Sequence, residues 1–283
     1  MSPAVQVGVG LRPPHYQAVL ASPPEAVDCF EVISENFLGL AGGGGGRPVE
    51  LLEQVRARHP VRLHGVSMNL GSVDPLSASY LRRLAALADR LQPDCVSDHV
   101  CWTGQGGENL HDLLPLPWTE ESLDHVADRV HRAQDVLRRR LLLENPSSYL
   151  AYRHSTLAEH DFLAELARRT GAGLLLDVNN VFVTCQNHGL EPMDYLLGLP
   201  RGAVAQFHLS GHEDAGPLRI DTHDREVCPE VWALFRAAVR RFGPLPTIVE
   251  WDDRLPPLAT LLAEAGRARA ILEEGADAAA QPR

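Results

Sequence analysis

Short runs of aliphatic and β-branched residues, each closed by a turn former or a polar side chain, recur at 5–10, 29–33, 61–66, 94–97, 141–144, 173–178, 203–209 and 247–251. They read as eight strands. Between them, apolar residues repeat at three- and four-residue spacing, most clearly over 78–91, 120–139, 156–170, 229–242 and 257–273, which predicts amphipathic helices. Runs such as Leu141-Leu142-Leu143 and Leu174-Leu175-Leu176 have no polar face at all. Such strands belong to a parallel sheet covered by helices on one side and packed on the other. Eight β-then-α units close into a (β/α)8 TIM barrel, an α/β fold, with a doubly wound sheet as the alternative.

The pattern is weakest in three places. Pro13-Pro14 and Pro23-Pro24 interrupt the helix after the first strand, and 179–191 reads as a long loop. The glycine run 42–46 has too much backbone freedom for a packed element, and no Gly-Lys-Ser/Thr follows it, so it reads as a mobile loop. One barrel domain over 1–274 with a frayed tail over 275–283 is the expected organisation.

The chemistry lies in what ends each apolar run, because barrel enzymes place reactive groups at the C-terminal ends of strands and in the loops beyond. The third run ends Leu63-His64-Gly65, the fourth Ser97-Asp98-His99, the fifth Leu143-Glu144-Asn145 and the sixth Leu176-Asp177-Val178-Asn179-Asn180. The seventh gives Phe207-His208-Leu209-Ser210-Gly211-His212, followed by Asp221-Thr222-His223, and the eighth gives Val249-Glu250-Trp251-Asp252. Singly, such a histidine often just bonds a carbonyl, and such a carboxylate often caps a helix. Six successive strands ending in His, His, Glu, Asp, His and Glu converge on one pocket, where unpaired buried charges are costly and bound cations offset the cost. Four carboxylates (Glu144, Asp177, Asp221, Glu250) and four imidazoles (His64, His99, His208, His223) exceed what one ion can hold, so about two or three metals are expected. Glu144, central in the order, is the candidate bridge between ions. Imidazole and carboxylate without thiolate suits iron, manganese or zinc.

Composition narrows the classes. With 26 basic against 37 acidic residues, the formal charge of −11 opposes a nucleic-acid partner. All the basic residues are arginine, so Schiff-base, pyridoxal-phosphate, Walker-loop and protein-kinase chemistries, which need a lysine amine, are excluded. The five cysteines form no C-x-x-C pair and read as reduced, mostly buried thiols. No apolar stretch approaches a membrane span and the N-terminus carries no secretory pattern, which places the expected location in the cytoplasm.

At these residues the chain resembles the multinuclear non-haem iron-dependent oxidative enzymes, the family that includes the methanobactin biosynthesis oxidase. The resemblance runs in order from Val7-Gly8-Val9-Gly10-Leu11-Arg12 through Glu31-Val32-Ile33-Ser34-Glu35-Asn36, His64-Gly65-Val66-Ser67 and the strand ends above to Glu250-Trp251-Asp252. It implies a barrel in which two or three irons, of mixed Fe(II)/Fe(III) state, use dioxygen to oxidise cysteine residues of a ribosomally made precursor peptide. It also implies a partner protein that captures the peptide's leader. Carried over motif by motif, the iron ligands would be His64, His99, Glu144, Asp177, His208, Asp221, His223 and Glu250. Asn180 and His212 would hold a third, looser ion or orient ligands and substrate, with Asp98 and Asn145 beside them. Glu35 and Asn36 would line the substrate mouth or cap a helix.

Two other classes share parts of this ligand order. Endonuclease-IV-like trizinc barrels cleave phosphodiesters with metal-activated water. The charge of −11, and Asn180 where those nucleases place a histidine, argue against that reading. Xylose-isomerase-type barrels rely on a lysine that this chain lacks. A barrel that merely sequesters ions or a cysteine-rich peptide is the non-enzymatic alternative.

Overall fold

The structure, a computed structural model, describes residues 5–39 and 46–280. In chain order the strands are β1 Val7–Gly10, β2 Cys29–Ile33, β3 Val61–Gly65, β4 Val96–His99, β5 Trp102–Gln105, β6 Glu108–Leu114, β7 Leu141–Glu144, β8 Gly173–Asp177, β9 Val204–Leu209, β10 Glu213–Asp214, β11 Arg219–Ile220 and β12 Thr247–Val249. The helices are α1 Tyr16–Ala21, α2 Gly46–Arg56, α3 Ala78–Leu91, α4 Glu120–Leu137, α5 Glu159–Thr170, α6 Val178–His188, α7 Pro192–Gly198, α8 Pro229–Phe242 and α9 Leu258–Ala280.

Eight of these strands close a parallel barrel in the order β1-β12-β9-β8-β7-β4-β3-β2, so the (β/α)8 expectation holds. Register decides which side chains meet. His99 lies beside Glu144, Asp177 beside His208, and His64 beside Ser97 on adjoining strands. Partners in parallel register share a face of the sheet, and alternate residues along a strand face opposite ways. Hence Ser97 and His99 point into the barrel, while Asp98 points out and meets Tyr80 of α3.

Several helices carry the start signals their sequences announce. Ser77 caps α3 by accepting from the Tyr80 amide at 3.2 Å, and Thr119 caps α4 by accepting from the Ser122 amide at 3.2 Å. Leu81, Leu84, Leu87, Ala88 and Leu91 form the buried stripe of α3.

Three segments differ from the sequence reading. Where 179–191 suggests a loop, α6 runs from Val178 to His188 and α7 follows. The Asp177 carboxylate accepts from the Asn180 amide at 2.7 Å and starts α6, and Gly189 ends it at φ +66°. The asparagines that suggest a turn are therefore inside a capped helix. The last helix runs to Ala280 rather than Glu273, so 275–280 is helical. A hairpin, β5–β6, interrupts the β4–α4 connection; Gly106 and Gly107, at φ +64° and +83°, make the two-residue turn that glycine permits. Gly46 opens α2, and the rest of the expected glycine loop, 42–45, lies outside the described residues. Among the described residues no helix is long and apolar enough to cross a membrane.

Candidate metal centre

The strand ends converge as the barrel requires. His64, His99 and Glu144 form one group whose ligand-capable atoms lie within 4.8 Å of one another; His64, His208 and Glu250 form a second; Glu144, Asp177, His208 and Glu250 form a third. All six residues are buried. Glu144 Oε2 stands 3.2 Å from His64 Nε2 and 3.2 Å from His99 Nε2, while its Oε1 stands 3.3 Å from His208 Nδ1. His208 Nδ1 is also 3.0 Å from Glu250 Oε2. Asp221 and His223 adjoin this group: His223 Nε2 is 2.8 Å from Asp221 Oδ1, and its Nδ1 is 3.6 Å from Glu250 Oε2. Two ligands on one transition ion at bond lengths of about 2.0–2.2 Å stand roughly 3.0–3.5 Å apart in octahedral or tetrahedral geometry, which matches most of these separations.

Hydrogen bonding does not satisfy this cluster. Glu144 Oε2, Asp177 Oδ2 and Asn180 Oδ1 are buried without a hydrogen-bond partner among the described residues, while His208 Nδ1 and His223 Nε2 stand 2.8–3.3 Å from carboxylate oxygens of the cluster. Groups of this kind are nearly always paired in a folded interior, and carboxylate oxygens left unpaired beside imidazole nitrogens call for a ligand of opposite charge. The donor set is imidazole nitrogen and carboxylate oxygen without sulfur, which fits iron, manganese or zinc.

The electrostatics divide the imidazoles into two kinds. Burial, and then the neighbouring His99, hold His64 well below its ordinary pKa, and burial lowers His99 to about 4. Burial also disfavours the charged forms of His208 and His223, but carboxylates overcome it and hold both well above the ordinary value. For His208 these are Glu250, Glu31 and Glu144; for His223, Asp221 and Asp252. Burial pushes Glu144 well up, with Glu250 and Asp177 adding to it, and pushes Asp177 up to about 7, with Asp221 next. Each of these carboxyls resists ionisation unless positive charge is supplied nearby.

The remaining sequence candidates divide. Asn145 Nδ2 donates to the Asp177 carbonyl at 3.0 Å and its Oδ1 accepts from the Asp177 amide at 2.9 Å, locking β7 to β8 beneath the ligands. Asn180 donates to the Asn145 carbonyl at 3.0 Å and keeps its Oδ1 unpaired among the described residues. His212 Nδ1 lies 2.7 Å from Asn179 Oδ1, and Asn179 Nδ2 donates to Asp221 Oδ1 at 2.8 Å, tying His212 to the cluster. Asp98 and Glu35 meet elsewhere, at Tyr80: its hydroxyl donates to Glu35 at 2.7 Å, and Asp98 also accepts from the Met68 amide at 3.1 Å. Asn36 is exposed on a 3-10 turn.

Three residues at or beside the cluster are not among the sequence's candidate site residues. Glu31 sits in the middle of β2 with its Oε1 2.8 Å from His208 Nε2; a carboxylate inside the run Cys-Phe-Glu-Val-Ile is the signal that marks it. Asp252 lies 3.1 Å from His223 Nδ1, and Arg12 clamps its other oxygen through Nε at 2.9 Å and through Nη2.

Comparison with known proteins sets this arrangement in a family. The family described as "RiPP precursor modification enzyme MbnB/TglH/ChrH" matches residues 6–273. The chain belongs to it. Among similar proteins, a "UPF0276 protein" of Caulobacter vibrioides is 55% identical over 263 residues, covering 93% of this chain and 92% of its own. Another from Anaeromyxobacter sp. is 52% identical over 274 residues, covering 97% and 95%. Among solved structures, endonuclease IV from Thermus thermophilus superposes with a TM-score of 0.62 at 19% identity, over 95% of this chain and 99% of that one. A D-psicose 3-epimerase gives a TM-score of 0.57 at 11% identity, over 95% and 97%. At such identities the superpositions establish the barrel fold. This member of the MbnB/TglH/ChrH family therefore carries a His/Asp/Glu cluster at the C-terminal mouth of a TIM barrel.

Proposed function

We propose that the chain is a multinuclear iron- and O2-dependent oxidase that modifies cysteine residues of a ribosomally synthesised precursor peptide. The observation that carries this reading is that Glu144 and Asp177 each keep a buried carboxylate oxygen without a hydrogen-bond partner among the described residues, in a buried group with His208 and Glu250 whose ligand atoms lie close enough to share an ion. Family membership supports the peptide as substrate. A separate protein that captures the leader rests on the family resemblance alone.

His64, His99, Glu144, Asp177, His208, Asp221, His223 and Glu250 would hold the irons. Bound iron would supply electrons for dioxygen reduction and a Lewis-acidic seat that favours the thiolate form of a substrate cysteine. Glu144 presents one oxygen to the His64/His99 side and the other to His208, and so spans both halves of the cluster. Asn145 holds the Asp177 backbone, and so its carboxylate, at a fixed height in the barrel. His212 would receive the thiol proton. Asn179 donates to Asp221 and therefore turns its oxygen to His212 Nδ1–H, which leaves His212 Nε2 as a free base. Burial lowers the His212 pKa, so the ring is neutral and able to accept at neutral pH.

The test is anaerobic loading of the protein with Fe(II), followed by addition of oxygen and short cysteine-bearing peptides encoded beside it. Oxygen uptake with a mass change confined to a cysteine and its neighbours is the expected result. Bound iron with neither oxygen uptake nor peptide modification would make the chain a sequestering barrel, and cleavage of abasic DNA would move it to the phosphodiesterases.

A further inference from the structure

Each of the four candidate imidazoles has one nitrogen facing the cluster and the other anchored to the protein, and the anchors are unequal. His64 Nδ1 meets the Ser97 hydroxyl at 2.9 Å, and His99 Nδ1 meets the Gly65 carbonyl at 3.2 Å. These anchors are neutral. His208 Nε2 meets Glu31 Oε1 at 2.8 Å, and His223 Nδ1 meets Asp252 Oδ2 at 3.1 Å. These anchors are carboxylates.

Both carboxylates are themselves fixed. Glu31 is buried within the barrel; its Oε2 accepts from Gln206 Nε2 at 2.8 Å, and Gln206 Oε1 accepts from Arg62 at 2.7 Å. Among the described residues, Glu31 Oε1 is otherwise unpaired, and His208 Nε2 is the nitrogen that stands 2.8 Å from it. Gln206 Nε2 also stands 3.0 Å from His208 Nε2, but its hydrogens have Glu31 to go to, and an N–H on His208 cannot accept from it. Asp252 is held by Arg12 on its opposite oxygen.

We infer that Glu31 and Asp252 are positioning residues for the metal centre: each accepts the ring N–H that fixes His208 or His223 with its other nitrogen toward the ions. A carboxylate anchor gives an imidazole partial imidazolate character and makes it a stronger donor than a hydroxyl or carbonyl anchor does. The cluster therefore has two unequal ends. Ions held by His208 and His223 bind more tightly than the ion held by His64 and His99, and the His208/His223 end favours the more highly charged ion. The inference rests on the metal centre of the proposed function.

Mn(II) titration read by the EPR signal of the free aqueous ion tests it without any turnover. Glu31→Gln and Asp252→Asn, each folded by circular dichroism, are expected to weaken one class of bound Mn(II) by about 10- to 100-fold and leave the remaining class unchanged. Ser97→Ala, which removes a neutral anchor, is expected to cost less than either. Glu31→Asp, which keeps the charge, is expected to restore part of the affinity, a rescue that loss of packing alone would not give. Wild-type affinity in both Glu31→Gln and Asp252→Asn, or an equal loss in Ser97→Ala, overturns the inference while the metal centre stands. A wild-type protein that binds no Mn(II) overturns the metal centre and this inference with it.

Discussion

Glu159, at the start of α5, is a buried carboxyl whose Oε1 accepts from the Tyr195 hydroxyl at 2.7 Å. Burial pushes its pKa up to about 7, against the Tyr195 hydrogen bond that lowers it. Below the unfolded value near 4.5 both states carry the proton. As pH rises from there to about 7, only the folded state keeps it, so folding stability falls across that window and stays reduced above it. Glu159→Gln keeps an acceptor for Tyr195 and removes the titration. Thermal melts should show the variant gaining on wild type from pH 5 to pH 8, by about 2–3 kcal/mol at the upper end; a constant difference across that range contradicts the assignment. At this scale the sequence exposed the cluster well, because His64, His99, Glu144, Asp177, His208 and Glu250 each sit at the end of an apolar run or just past it. It hid Glu31, which lies inside a run, and the pairing of Asp252 with His223 from the loop after β9. Those pairings depend on register and closure, which no local pattern encodes.

At the scale of elements, Asp177 does two jobs: one oxygen caps α6 and the other, unpaired among the described residues, faces the cluster. The substitutions separate them. Asp177→Asn retains a good capping group and removes the anion, so its melting temperature should stay near wild type while bound metal falls. Asp177→Ala loses both, and should melt earlier by the equivalent of about 1 kcal/mol as well. Equal melting temperatures for the two variants would show that the cap contributes nothing. The same double role explains why α6 is hard to see in the sequence. Asn179 and Asn180 read as turn formers, yet Asn180 supplies the amide that Asp177 caps, and Asn179 reaches Asp221. The β5–β6 hairpin was legible only as Gly106-Gly107 between Trp102-Thr103 and Glu108-Asn109-Leu110, a local signal outweighed by the barrel rhythm around it.

At the scale of the whole molecule, the alternation of apolar runs and amphipathic helices was sufficient for the barrel, because eight largely apolar strands with intervening helices have few ways to bury both faces. The barrel in turn accounts for the cluster: closure brings side chains as distant in sequence as His64 and Glu250 within ligand distance of common points. In low-dielectric surroundings a crowded set of carboxylates and imidazoles is costly, and cations shared among them offset that cost. The most direct measurement is metal analysis, with anomalous diffraction at the iron edge, on protein purified without oxygen, for wild type and Glu144→Gln. The account predicts about two or three ions per chain at the barrel mouth, with Glu144 between them and at least one ion lost in the variant. Crystals showing no ion at that mouth, with Glu144 and His208 engaged only with each other, would contradict it.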